Sequence, residues 1–153
     1  MIEIKTLEIS GFRSVFEALR LPFGKEYRSE TYFSFDQIGN QVNGKYDVNI
    51  NEKDLTLLST LVRRGDEHAK AIRGLIVYAE INAPRYFWQE LDPYRIGTER
   101  LSSESTMHIQ GKGLSTEELV KMKDELKEGT MQKRVQYFSY QTLRRIYFQR
   151  RNH

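Results

Sequence analysis

One stretch near the middle of the chain constrains the fold most, because it places an amphipathic helix close to an alternating strand. Apolar residues recur at helical spacing over 52–64, between Asn51, a typical N-cap, and Gly65, a typical helix stop. Residues 66–73 then predict a second, short helix, and the alternation over 74–82 predicts a strand. A helix and a strand in such close succession favour a fold of the α+β class.

Weaker patterns on both sides of this stretch predict further strands and helices. Ser10 is a predicted N-cap, and Ser115 with Glu118 forms a capping box. Residues 24–44 and 94–113 show no sustained period, so both are predicted to be mainly irregular. The other predicted strands are 2–9, a short one near 31–35, and 46–50, and the other predicted helices are 12–20, 84–92, 116–128 and 131–151. We expect the 153 residues to form a single α+β domain, in which a small mixed or antiparallel sheet packs against helices.

The composition excludes several classes of protein. The chain has no Cys, so a disulfide framework, a thiolate zinc site and a Cys nucleophile are ruled out. No apolar run reaches the roughly 18 residues of a membrane span, and the N-terminus lacks the pattern of a signal peptide, so we expect a cytoplasmic protein without a membrane partner. The three His are far apart in sequence, which predicts no metal site. Neither a glycine-rich phosphate loop nor a nucleophile elbow is present, so no catalytic residue is assigned.

Positive charge is concentrated towards the end of the chain. Lys and Arg number 24 against 21 Asp and Glu, yet residues 131–153 contain six basic residues and no acidic one. Such a segment indicates an anionic partner, namely a phosphate, a nucleic acid or an acidic surface of a neighbouring subunit. Arg145 and Arg150 are therefore candidate ligand contacts. The alternative is that these arginines belong to an ordinary solvated helix face.

A polar segment after the aromatic helix is the strongest candidate for a binding site. Arg95 and Arg100 offer planar guanidinium groups that can bind a phosphate through two hydrogen bonds. Thr98, Ser103 and Ser105 add hydroxyl donors at short spacing. The combination predicts a site for an anion, and the alternative is a polar surface loop with ordinary turn residues.

Two further residues complete the candidate set. Tyr94 offers a ring that either stacks on a base or packs in the core. His108 has a side chain whose ordinary pKa lies near neutral pH. The predicted ligand-binding residues are thus Tyr94, Arg95, Thr98, Arg100, Ser103, Ser105, His108, Arg145 and Arg150.

The order of these elements resembles that of the flavin-dependent thymidylate synthases over roughly residues 50–106. In that family an apolar helix ends in a basic-Gly turn and a strand ends in Ala-Pro. An aromatic helix then leads into the signature Arg-His-Arg-x-x-Ser-x-Asn-x-x-Ser-x-Arg. Counted without a gap from Ala83-Pro84, Arg95 falls on the second Arg of the signature, Thr98 on its first Ser and Ser103 on its second Ser.

The chain also resembles small phage proteins that are similar to this enzyme. The shared stretches are Gly11-Phe12, Gly65-Asp66-Glu67-His68, Ala83 to Trp88, and Ser105 to His108. The resemblance implies the same small-sheet plan. It also implies assembly into a homo-oligomer, with a tetramer favoured, because the family forms tetramers with sites between subunits.

Apart from Thr98, which stands at its first Ser, the signature is altered at four positions. Pro93 and Tyr94 replace its first Arg and its His, Arg100 stands at its Asn, and Ser105 stands at its last Arg. In the family, the Arg-His-Arg group holds the flavin, and the Ser and the last Arg help to hold deoxyuridine monophosphate. Losing charge-assisted bonds of about 1.5–3 kcal/mol each would weaken flavin binding, whereas Arg100 restores a positive charge nearby. We therefore expect no cofactor, with FAD bound only if synthase chemistry is retained.

Three functions follow from these observations. The first is a non-catalytic protein that binds a nucleotide or nucleotide-derived ligand at a subunit interface; in a phage it would sequester a host nucleotide signal and counteract host defence. The second is a flavin-dependent thymidylate synthase that methylates deoxyuridine monophosphate, for which the family needs no Cys. The third is a nucleic-acid-binding module that uses the basic last helix.

Overall fold

The computed structural model describes residues 1–24, 31–35 and 46–152. Within these ranges the chain forms six strands, six α-helices and two 3₁₀ segments. The strands are β1 (Glu3–Ser10), β2 (Tyr32–Phe35), β3 (Tyr46–Asn49), β4 (Ile76–Pro84), β5 (Thr98–Ser103) and β6 (Met131–Ser139). The helices are α1 (Phe12–Arg20), α2 (Glu52–Arg63), α3 (Arg85–Leu91), α4 (Thr106–Ile109), α5 (Thr116–Asp124) and α6 (Tyr140–Arg150), and the 3₁₀ segments are Leu21–Phe23 and Ala69–Gly74.

Four strands form one sheet in the order β1–β4–β6–β5, and β2 pairs with β3 in a separate two-stranded sheet. The central pair, β4 and β6, is in continuous register from Ile76 opposite Ser139 to Pro84 opposite Met131. All four strand pairings in the described residues are antiparallel. The predicted α+β fold is therefore confirmed, with a sheet that is antiparallel rather than mixed.

One hydrophobic core lies among α1, α2 and the second 3₁₀ segment. Phe16 and Ile72 are almost completely buried there. Beside them the guanidinium of Arg20 forms an ion pair with the buried carboxylate of Asp54, which links α1 to α2. The other buried members of this core are Val15, Leu19, Ala69 and Leu75.

A second core lies on one face of the four-stranded sheet, beneath α3. Trp88 is 1% exposed, packs with Phe138 of β6, and donates its indole N–H to the carbonyl of Gln132 at 3.2 Å. The remaining buried members are Ala79, Ile81, Ala83 and Leu91. Because β6 contributes to this core, the polar residues that alternate with Phe138 on the same face are buried as well.

Most elements predicted before residue 93 are confirmed. Helix α2 begins after Asn51, whose side chain accepts a hydrogen bond from the Lys53 N–H, and it ends before Gly65. The short strands near 31–35 and 46–50 are present as β2 and β3, while 25–30 and 36–44 of the predicted loop lie outside the described residues. The short helix predicted over 66–73 is a turn over 66–68 followed by a 3₁₀ helix over Ala69–Gly74.

The N-cap predicted for the first helix was wrong by one residue. Ser10 still belongs to β1, and the N-cap position of α1 is occupied by Gly11, with a φ of 90°. A side chain at this position would overlap the carbonyl oxygen of Gly74. Glycine is therefore required both by the left-handed backbone and by the close approach of the second 3₁₀ segment.

The helix predicted over 116–128 is present as α5 and begins where predicted, but it is shorter. Its capping box is present, because Ser115 and Glu118 each accept a hydrogen bond from the other's backbone N–H. The helix ends at Asp124 instead of 128, since the chain must turn back to enter β6. Val120, one of the apolar residues of this helix, is 54% exposed.

The prediction of a single helix over 131–151 was wrong, because its first nine residues form the central strand β6. Val135 and Phe138 fit a helical stripe, but the buried face of the strand also contains Arg134 and Gln136. Polar residues on a buried face conceal a two-residue period, so the sequence favoured the wrong element. The helix begins only after Ser139, whose side chain caps α6 by accepting from the Thr142 N–H.

The prediction that 94–113 is irregular was also wrong, because it contains β5 and the short helix α4. β5 is an edge strand, and five of its six residues are exposed. An edge strand of this kind has no apolar alternation that the sequence could reveal. Its pairing with β6 comes instead from tertiary structure, and it brings the predicted site against the sheet.

Candidate functional site

The junction between β6 and α6 fixes the start of β5. The Ser139 N–H donates to the Gly97 carbonyl at 2.5 Å, and the Thr142 hydroxyl donates to the Ile96 carbonyl at 2.5 Å. Gly97 has a φ of 73°, and a Cβ there would overlap the Ser139 hydroxyl oxygen. The turn before Thr98 is thus held in one position by residues more than 40 positions later in the chain.

A cleft of about 400 Å³ lies beside this turn, at the start of β5. Its size falls within the range of roughly 300–1,000 Å³ that is usual for small-molecule sites. It brings together four of the nine predicted residues, namely Tyr94, Arg95, Thr98 and Arg100. The other lining residues are Asp92, Glu99 and Gln136.

The two arginines of the cleft have guanidinium groups that pair with none of the described residues. Arg95 and Arg100 are both exposed. In the part of the chain that the structure describes, neither side chain has a hydrogen-bond or ion-pair partner. Both cations are therefore available to a ligand without the loss of an internal contact.

A buried glutamine forms the base of the cleft. Gln136 is 4% exposed, lies opposite Arg100 in the β5–β6 ladder, and donates its amide N–H to the Thr98 hydroxyl at 2.6 Å. Its amide oxygen is buried and has no hydrogen-bond partner within the described residues. Leaving a buried polar atom unpaired costs on the order of 1–3 kcal/mol, so a ligand donor that reached this oxygen would recover that cost.

Arg134 lies behind the cleft and is held on three sides. Its guanidinium donates to the Asp92 carboxylate at 2.9 Å and to the Gln132 amide oxygen at 3.2 Å, and it lies 4.4 Å from the centre of the Trp88 ring. The pKa of Arg134 is lowered, chiefly because the guanidinium is buried. The carboxylate of Asp92 opposes this shift, and the charge of Arg100 adds to it. Arg134 is 8% exposed, so the basic residues of the segment predicted as one helix over 131–151 do not all belong to a solvated face.

Five predicted residues do not line the cleft, and three of them lie at the far end of β5 or just after it. Ser103 is at the opposite end of β5, where it pairs with Arg134 in the ladder. Ser105 is the N-cap of α4 and accepts a hydrogen bond from the His108 N–H at 3.4 Å. The side chain of His108 is exposed on that short helix. These three residues are not brought together with Arg95 and Arg100.

The two predicted arginines of the last helix are engaged within the chain. Arg145 pairs with Asp66 at 3.1 Å, and the same carboxylate binds Arg144 at 3.3 Å. Arg150 donates to the Tyr94 hydroxyl at 3.2 Å and pairs with Glu90 at 2.9 Å. The hydrogen bond to Tyr94 is the main cause of the raised pKa of Arg150, followed by the hydrogen bond to Glu90. Arg150 thus contacts the edge of the cleft through Tyr94.

Sequence reasoning missed Asp92, Gln136 and Arg134. Gln136 and Arg134 were assigned to a helix, and a helix would not have placed them beside β5. The signal that could have identified them is the two-residue alternation Arg134, Gln136, Phe138, in which two polar residues share a strand face with an aromatic one. Asp92 carried only a helix-end signal, and its role as the partner of Arg134 depends on tertiary contact.

No model of a known protein family matches the chain, and a comparison with curated proteins gave no match. No helix among the described residues is both long and apolar enough to cross a membrane. Across the same ranges, no group of three or more His, Asp and Glu side chains is placed to hold a metal ion.

Proposed function

We propose that this protein binds a nucleotide or a nucleotide-derived anion in the cleft at the start of β5. The observation that carries the proposal is the meeting of Arg95 and Arg100 with the buried amide oxygen of Gln136, all three without a partner in the described part of the chain. A site of this kind combines charge for an anion with a fixed polar group for orientation. It contains no arrangement of a nucleophile and a base, so binding is proposed rather than catalysis.

The anionic part of the ligand would bind to Arg95 and Arg100. Planar guanidinium groups match the oxygen geometry of a phosphate and form charge-assisted bonds that are stronger than neutral ones. The carboxylate of Asp92 lies in the same cleft, but it is already bound to Arg134. Glu99 also lines the cleft, so the positive charge is moderate and favours one phosphate over a polyanion.

The heterocyclic part of the ligand would bind between Tyr94 and Gln136. The ring of Tyr94 is half-buried and packs against the second core, which holds it in place. An aromatic ring in such a position can stack on a base. The amide of Gln136 can accept from a ring N–H or an exocyclic amine, and these donors are common on nucleobases but absent from simple phosphate esters.

The resemblance to flavin-dependent thymidylate synthases supports a nucleotide as the ligand. Two of the three residues that match the signature of that family, Arg95 and Thr98, line the cleft, and the third, Ser103, does not. The same resemblance supports two finer parts of the proposal: a homo-oligomer of four chains with sites between subunits, and a phage protein that sequesters a host nucleotide signal. The cytoplasmic location that the sequence predicts completes the proposal.

A calorimetric panel tests the proposed function. Wild-type protein would be titrated with nucleoside monophosphates, cyclic mononucleotides, cyclic dinucleotides, FAD and inorganic phosphate. We expect at least one nucleotide to bind in a saturable way and more tightly than inorganic phosphate, because phosphate alone lacks the group that Gln136 would recognise. Absence of binding by every nucleotide in the panel would remove the proposal.

The synthase alternative is less well supported by the residues of the cleft. Pro93 and Tyr94 stand where the family has the Arg and His that hold the flavin, and the Tyr94 hydroxyl is already engaged by Arg150. The residues present therefore fit FAD poorly. An absorption spectrum from 250 to 500 nm, recorded after adding FAD and desalting, separates the synthase from a protein that binds another nucleotide. Retained flavin bands support the synthase, and a colourless protein supports binding of another nucleotide.

The nucleic-acid alternative rests on the basic last helix. Arg144, Arg145 and Arg150 of that helix are paired with carboxylates, which reduces the positive charge that it presents. A nucleic-acid-binding protein would bind DNA or RNA with an affinity that falls steeply as salt increases. We expect no such binding at physiological salt in an electrophoretic or fluorescence-anisotropy assay.

A further inference from the structure

A second cavity of about 390 Å³ lies beyond the other end of β5, where α4 and α5 approach the start of β6. It shares no lining residue with the nucleotide cleft. We propose that this cavity is a separate binding site for a small organic acid, namely a carboxylate or sulfonate on an apolar or aromatic body. The proposal is independent of the nucleotide proposal, because it depends on different residues.

Three cations and one carboxylate line the second cavity. Arg85, Lys123 and Arg134 are positively charged, and Glu104 is the only acidic residue of the lining. The Glu104 carboxylate already accepts a hydrogen bond from the Lys133 N–H at 2.9 Å. The cavity therefore favours an anion.

Two of these cations are free to contact a ligand directly. Lys123 has no carboxylate within ion-pair distance in the described ranges. The nearest carboxylate oxygen to Arg85, on Glu128, is 4.0 Å away, which is at the limit of an ion pair. Arg134 also lines the cavity, but its guanidinium is held by Asp92 and Trp88, so it contributes charge rather than a free guanidinium.

Part of the cavity lining is apolar. Ile109 is 59% exposed and Met131 is 38% exposed, and Leu126 lies beside them in the lining. Covering apolar surface stabilises a complex by roughly 25 cal/mol per Å². An inorganic anion would leave this part of the lining in water, whereas an acid with an apolar body would cover it and also reach Lys123 and Arg85.

The fluorescent acid 8-anilinonaphthalene-1-sulfonate is a suitable probe, because its emission rises when its rings leave water. We expect saturable binding of one molecule per chain. Reversing one contacting charge with Lys123→Glu should weaken binding about tenfold, which corresponds to about 1.4 kcal/mol. Ile109→Ser, at an exposed position, should weaken it several-fold by removing part of the apolar lining.

Two sets of controls make the test specific. Lys121→Glu is the matched control, because it makes the same charge change on α5 but Lys121 does not line the cavity. Arg95→Ala and Arg100→Ala should leave probe binding unchanged, so failure of the nucleotide proposal would not affect this result. Near-ultraviolet circular dichroism and the thermal midpoint would show that each variant is folded.

Several outcomes would overturn the second site. They are non-saturable probe binding, wild-type affinity in folded Lys123→Glu and Ile109→Ser, and an equal loss of affinity in Lys121→Glu. Protein NMR adds a direct measurement of position. Probe-induced shifts should centre on the amides of Thr130 and Gln132, and shifts centred on Thr98 would place the probe in the nucleotide cleft instead.

Discussion

The arginines of the β5 cleft and those of β6 and α6 are similar in sequence but differ in their surroundings. Four arginines of the second group lie 2.9–3.3 Å from a carboxylate oxygen, and they are Arg134, Arg144, Arg145 and Arg150. Arg95 and Arg100 have no such partner in the described part of the chain. The paired group contributes to the structure, and the unpaired group is available for a ligand.

The comparison teaches that a cluster of basic residues does not identify a binding surface by itself. Residues 131–153 contain six basic residues and no acidic one, so the sequence predicted an anionic partner for this segment. The structure brings carboxylates to it from distant positions, among them Asp66 and Glu90. Arginines and a buried amide oxygen that lie in one cleft without partners among the described residues are a stronger indication of a ligand than charge density.

The largest expected effect concerns Gly97, which precedes the cleft residue Thr98 and accepts a hydrogen bond from the N–H of Ser139, the cap of α6. Gly97→Ala should lower the free energy of unfolding by about 3 kcal/mol, because it adds left-handed strain and an overlap with Ser139. Urea unfolding would measure the change. Gly113→Ala is the matched control, since Gly113 has a φ of 88° but open space around it, and it should cost only about 1 kcal/mol. Equal effects would show that the contact with Ser139 contributes nothing.

The second effect separates the two groups of arginines by stability. Arg134→Ala should lower the free energy of unfolding by about 2 kcal/mol, because it removes the Asp92 bond and the contact with Trp88. Arg100→Ala should change it by less than about 0.5 kcal/mol, as expected of an exposed, unpaired residue. Similar losses of stability in both variants would show that the paired and the unpaired arginines do not differ in their contribution to the structure.

The third effect concerns the buried amide of the cleft. Gln136→Leu should weaken nucleotide binding about tenfold, because it removes the group that orients the heterocycle. The same change should alter the free energy of unfolding by less than about 1 kcal/mol, since it also removes an unsatisfied buried oxygen. Calorimetry and urea unfolding on the same preparation would give both values. A large loss of stability with unchanged affinity would show that Gln136 is purely structural.

The smallest effect is expected at the carboxylate shared by Arg144 and Arg145. Asp66→Ala should cost only about 0.5 kcal/mol, because the ion pairs are partly exposed and screened by water. The variant frees both arginines without creating a cleft around them. We therefore expect unchanged nucleotide affinity, and a gain in affinity would show that free charge alone is sufficient.

Much of the fold could be predicted because its signals are local. The cap at Asn51, the stop at Gly65 and the capping box at Ser115 each depend on residues a few positions apart. The strand β4 has apolar residues on its buried face, so its two-residue period was visible. These elements were predicted correctly because local sequence and tertiary structure favour the same answer.

The errors arose where tertiary contacts determine the element. β6 buries Arg134 and Gln136, and it is stabilised by pairing on both sides rather than by an apolar alternation. β5 is a polar edge strand whose position depends on the Gly97 turn and the cap of α6. Four of the nine predicted site residues lie in one cleft because they are close to one another in sequence. Arg145 and Arg150 instead pair with carboxylates that are distant in sequence, which local patterns do not reveal.

The most direct test of the central claim compares two double variants for the nucleotide that binds wild-type protein most tightly. Arg95→Ala with Arg100→Ala should weaken binding about 100-fold, since each charge-assisted bond contributes at least about 1.5 kcal/mol. Arg144→Ala with Arg145→Ala removes the same charge from the paired group and should change affinity by less than about twofold in low salt. An equal loss in both double variants, or a loss only in the second, would contradict the assignment of the ligand to the unpaired arginines.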